Sequence, residues 1–156
     1  MTTTPPDTGS GPAAAAVAAT DDEIIVVATA AASAPPVQVW DVLVHRTADW
    51  WASPYLAPND GGMTLEPELG GTVRSGAGDL HGTIRAFEPP TRLVIGGVLV
   101  PGAYSGSITF TIAKTNLGSE ITVAQSVRGR IEASVEERIS HGWTQLAFRL
   151  AELADR

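Results

Sequence analysis

The sequence predicts an α+β fold, an antiparallel sheet wrapped around a long C-terminal helix. Two observations carry this. Between Asn59 and Arg130, short β-branched runs alternate with turn-forming clusters. From Ser134 to Leu153, apolar residues recur at helical spacing.

The C-terminal helix has the strongest pattern. Val135, Ile139, Trp143, Leu146, Leu150 and Leu153 fall on one helical face. Ser134-Val135-Glu136-Glu137 has the form of a capping box, in which Ser and Glu satisfy each other's orphan backbone donors. Gly142 interrupts the stripe at a cost of roughly 0.5–1 kcal/mol against alanine. Close approach of another backbone, or room for a neighbouring ring, would offset that. His141 falls almost opposite the apolar face and is expected outside, with Thr144 and Phe148.

The strands follow from turn chemistry. Ile24 to Ala30 is a β-branched first strand, and Ser33-Ala34-Pro35-Pro36 opens a short helix that ends near His45. A second helical turn is expected over Asp49 to Pro54. Asn59-Asp60-Gly61-Gly62 is a turn, and six strands then form a meander: Met63–Glu66, Thr72–Ser75, Leu80–Phe87, Arg92–Val98, Ser105–Ala113 and Ser119–Arg128. Hairpin-like separators make the meander antiparallel. Ile108, Phe110 and Ile112 share one face of their strand, as do Ile121, Val123, Gln125 and Val127 of theirs. The first 22 residues are poor in bulky apolar side chains and cannot offset their ordering entropy, so a disordered tail over 1–22 and a single domain over 23–156 are expected.

Composition narrows the function. The net charge is −7, and without Asp7, Asp21 and Asp22 the body keeps 14 acidic against 10 basic side chains, or −4. That sign disfavours nucleic acid. There is no cysteine, which removes disulfides, thiolate metal sites and cysteine nucleophiles. No apolar run approaches the ~18 residues of a membrane span. The Ala13–Ala19 stretch lacks the basic flank of a signal peptide, so a cytoplasmic location is expected.

The element order and several motifs resemble the SRPBCC or START-like superfamily, the helix-grip or Bet v-like fold. The residues that carry this are Ala34-Pro35-Pro36-Val37-Gln38-Val39-Trp40, Trp50-Trp51, Leu69-Gly70-Gly71-Thr72-Val73-Arg74, Gly82 to Leu93, and Gly142-Trp143 followed by Leu146 and Leu150. Within the superfamily the chain is most similar to the polyketide-cyclase-like group and to the group named after the heat-shock-protein ATPase activator homologue. The resemblance implies a seven-stranded antiparallel sheet, two short helices after the first strand, and a pocket between sheet and final helix. It implies lipids, sterols, polyketides or other apolar molecules as ligands. It carries over no catalytic residue and no cofactor.

The candidate pocket lining is Trp50, Trp51, Tyr55, His81, Tyr104, Gln125, Trp143 and Leu146. Each also has an ordinary reading. The aromatics are equally at home in a core, and Gln125 can be a satisfied core amide. Arg85 reads as an outward sheet charge, and a one-residue bulge would reverse the strand faces. His45, His81 and His141 fall on different elements with no metal-ligand spacing, so no metal site is expected. Gly102-Ala103-Tyr104-Ser105-Gly106 lacks the pattern of a nucleophile elbow, and Gly76-Ala77-Gly78-Asp79 is a hairpin loop, not a phosphate loop. Three functions stay open: binding a small hydrophobic or amphipathic ligand, cyclase, aromatase or hydratase chemistry using His81 or Tyr104, and a protein-interaction role. The expected state is a monomer or weak homodimer, and an exposed Phe148 is either a dimer contact or an ordinary surface residue.

Overall fold

In the computed structural model, the described residues are 22–53, 55–57, 59–100 and 104–156, with the side chains of 98–100 and of Tyr104 outside the description. Among them the order is β1 (Asp22–Ala32), α1 (Pro36–His45), α2 (Thr47–Trp50), β2 (Thr64–Leu65), β3 (Thr72–Arg74), β4 (Leu80–Glu88), β5 (Arg92–Val100), β6 (Tyr104–Thr115), β7 (Gly118–Gly129) and α3 (Ala133–Ala154). The strands form one antiparallel sheet in the order β1-β7-β6-β5-β4-β3-β2. Successive hairpins build it from β2 to β7. β1 closes the far side by pairing with β7 from Asp22↔Gly129 to Ala32↔Ser119.

The apolar stripe of α3 lies on the sheet. Val135, Ile139, Trp143, Leu146 and Leu150 are buried, and Ala147, Ala151 and Ala154 widen the contact. Each large side chain so buried contributes about 1.5–3 kcal/mol. The end of α3 is tied to the chain entering α1: the Asp155 carboxylate accepts hydrogen bonds from the backbone N–H groups of Ser33 and Ala34, at 3.0 and 2.8 Å. Pro36 occupies the first turn of α1, where its missing N–H costs nothing. Val39, Trp40, Val42, Leu43 and Val44 are the buried residues of α1.

Four details differ from the sequence reading. β1 begins at Asp22, so that residue belongs to the sheet and not to the tail; the rest of the predicted tail lies outside the described residues. The second short helix is Thr47–Trp50, ahead of the predicted Asp49–Pro54. The capping box does not form. α3 starts at Ala133 with Glu132 as its N-cap and no side-chain cap, which places Ser134 inside the first turn. Finally, β4 carries two bulges. Val73 pairs with Gly82 but Arg74 with Leu80, so His81 is the extra residue of one. Ile84 pairs with Ile95 but Ala86 with Val94, so Arg85 is the extra residue of the other.

Candidate functional site

Strand register arranges the inner face of the sheet in rows. One row runs Phe87, Leu93, Phe110, Val123, Ala28. The next runs Ile84, Ile95, Ile108, Gln125, Val26. The third runs Val73, Gly82, Gly97, Gly106, Val127.

Aromatic rings close the first row. Phe110 stands among Trp50, Trp51 and Trp143, with ring centroids 5.8, 6.3 and 5.6 Å away. Trp51 also contacts Trp50 at 5.5 Å and Trp143 at 5.3 Å. These four side chains are buried, as is Leu146. The stacked and edge-on geometries are those that aromatic quadrupoles favour. The predicted Trp50, Trp51, Trp143 and Leu146 therefore come together, and they do so as packed core.

Each indole N–H of this cluster finds an acceptor. Trp50 donates to the Leu43 carbonyl at 3.3 Å and Trp51 to the Leu56 carbonyl at 3.1 Å. Trp143 donates to Oε1 of Gln125 at 2.6 Å. Because an indole nitrogen only donates, this bond fixes which end of the amide is which. The Gln125 Nε2, with two N–H donors, has no acceptor among the described residues, and Gln125 is only 4% exposed. An unmet buried donor of this kind costs about 1–3 kcal/mol.

The third row is different. Gly82, Gly97 and Gly106 are adjacent on β4, β5 and β6 and place no side chain over the sheet. A methyl group added at Gly97 would meet only the Cα of Gly82, at 3.7 Å, although its φ of +104° suits glycine. Gly82 is buried, Gly97 and Gly106 keep partial exposure, and a methyl group at Gly106 would run into the Ser126 carbonyl oxygen of β7; Ile84, Ile95, Ile108 and Gln125 in the adjoining row are all buried.

The segment between α2 and β2 packs against α3. Leu56, at φ +48°, sets its side chain against Gly142, so that a Cβ there would lie 2.5 Å from the Leu56 Cγ. The glycine thus makes room for an aliphatic side chain, not for a backbone or a ring. Tyr55 is half-buried, its ring 5.9 Å from that of His141 on the exposed side of α3.

His81 does not join the aromatic group. It is half-buried at its bulge, with β5 and β6 between its strand and that of Gln125. Burial holds its imidazole below the ordinary histidine value, against the opposing pull of the Asp60 and Asp79 carboxylates. Tyr104 begins β6, and its side chain lies outside the described residues. Arg85 is exposed, donating to the Thr83 hydroxyl, and its side chain covers Gly96. Among the described residues no three His, Asp or Glu side chains gather as a metal would need, and no helix is long and apolar enough to cross a membrane.

A curled antiparallel sheet gripping one long C-terminal helix, with two short helices after the first strand, defines the helix-grip class. Residues 33–155 match the family described as Activator of Hsp90 ATPase homolog 1-like protein, and the chain belongs to it. Solved structures share the fold. Protein MLL2253 from Mesorhizobium loti is 20% identical, with a TM-score of 0.63 over 85% of this chain and 98% of that one. CalU16 from Micromonospora echinospora is 19% identical, with a TM-score of 0.58 over 85% and 75%. DynU16, a protein of the dynemicin biosynthetic locus, is 22% identical with a TM-score of 0.63 over 82% of this chain and 46% of its own. No curated protein matches the chain.

Proposed function

We propose that this domain binds a small hydrophobic or amphipathic molecule between the sheet and α3. The observation that carries this reading is the row of Gly82, Gly97 and Gly106, which leaves bare backbone on the inner face beside an otherwise packed core. The φ of +104° at Gly97 and the close approach of the Ser126 carbonyl at Gly106 favour glycine at those two positions, and the three residues together leave this stretch of the inner face without side chains of its own. The neighbouring isoleucines give an apolar wall, and apolar walls with few polar groups are the usual make-up of small-molecule sites. The occurrence of DynU16 in a biosynthetic locus fits a domain that handles small molecules.

Catalysis with His81 and Tyr104 draws less support. Burial favours a neutral His81, but two strands, β5 and β6, stand between its strand and that of Gln125, whose amide is paired with Trp143.

Native mass spectrometry of the full chain tests the binding reading, with palmitate, cholesterol and 9-fluorenone added separately. The expected result is a one-to-one complex with at least one of them. A protein that retains none of the three contradicts it.

A further inference from the structure

Building on that ligand-binding reading, we infer that Gln125 is a specificity-determining residue, and that the ligand is a flat apolar molecule carrying a carbonyl oxygen that accepts a hydrogen bond from the Gln125 Nε2.

The donor comes first. Gln125 is nine-tenths buried, and its oxygen is committed to the Trp143 indole, so the amide cannot flip without leaving that N–H unmet. Its nitrogen then presents two donors that no described residue accepts. Buried polar groups are nearly always satisfied, so an unpartnered one marks a place where a further molecule belongs.

Its position comes next. Gln125 projects from the inner face of β7, and the next residue on that face, Val127, pairs directly with Gly106. Diagonal neighbours of this kind lie about 7–8 Å apart, within reach of a long side chain. Gly106 offers no side chain to intervene, so the amide borders the bare row.

The row sets the shape. Three adjacent glycines span two strand spacings, roughly 10 Å, the width of a small fused-ring system. Ile84, Ile95 and Ile108 wall one side. A floor of backbone admits a flat molecule closely, where side chains would hold it off. A pure hydrocarbon would leave the Nε2 donors unmet, while a carbonyl oxygen meets one of them.

Two probes of matched shape test this: 9-fluorenone, which has the carbonyl, and fluorene, which lacks it. Their affinities for the full chain are read by quenching of tryptophan fluorescence. The wild type is expected to bind fluorenone about tenfold more tightly, the size of one good hydrogen bond. Gln125→Met and Gln125→Leu both remove the donors at similar side-chain volume. In each folded variant, checked by circular dichroism, the two affinities should converge while that for fluorene holds. The wild-type comparison stands even if neither variant folds. Equal binding of both probes by the wild type overturns the role of Gln125 and leaves the pocket intact. Failure of both probes to bind overturns the site itself, and the inference with it.

Discussion

On the inner face of this sheet, the row through Leu93, Phe110 and Val123 and the row through Gly82, Gly97 and Gly106 lie only four residues apart along β5 and β6. The first is capped by three tryptophans, Trp51 touching both others, each with its indole N–H satisfied. The second presents backbone. The contrast shows how one face divides its work. The aromatic row holds the sheet against α3, and the glycine row adds no side chain of its own. Gln125 lies in the row between them, with its oxygen bonded to Trp143 and its nitrogen without an acceptor among the described residues.

Truncation should separate the two rows most sharply. Trp51→Ala is expected to cost about 3–5 kcal/mol of folding stability, as removal of a fully buried ring does. Gly82→Ala should shift stability by no more than about 1 kcal/mol, since alanine is the better residue within a strand. Urea unfolding of both variants checks this, and a loss at Gly82 to rival that at Trp51 would show the row to be packed.

The junction is next. Trp143→Phe strips Gln125 of its described partner and should cost about 1–3 kcal/mol from that group alone. Adding Gln125→Leu should recover part of the loss, because an apolar pair leaves nothing unmet. A double-mutant cycle measures the coupling.

Gly142→Ala brings helix propensity worth about 0.5–1 kcal/mol but collides with Leu56. In the wild type it should therefore fail to stabilise, and in a Leu56→Ala background it should stabilise. Thermal melts of the four proteins decide between this and a freely yielding loop.

The smallest effect concerns pH. The folded value of His81 lies below the ordinary 6.5, so the unfolded chain takes up the proton first as pH falls. Its contribution to stability is complete above that value and is lost as pH drops through the folded one. Being half-exposed, it should alter urea midpoints only slightly between pH 7.5 and 5.5. His81→Gln should flatten that difference.

Much of the fold was legible because it is written in local periodicity. The stripe from Val135 to Leu150 and the alternation of Ile121, Val123, Gln125 and Val127 required no knowledge of partners. Turn chemistry placed the meander for the same reason. The capping box misled because Ser134 has the right composition two residues too late, with Glu132 already serving as N-cap. The bulge at His81 was not legible because it arises from the pairing of β3 with β4, a non-local event that alternation does not record. The glycine row was missed altogether. Gly82, Gly97 and Gly106 are unremarkable one by one, and only the register of three strands sets them side by side.

The central claim, an open glycine row beside a closed aromatic one, is tested most directly by backbone amide chemical shifts during a titration with 9-fluorenone. The account predicts saturable shifts at Gly82, Gly97, Gly106 and Gln125, with little change at Val37 and Phe148 on the exposed surface. Shifts confined to that exposed surface, or none that saturate, would contradict it.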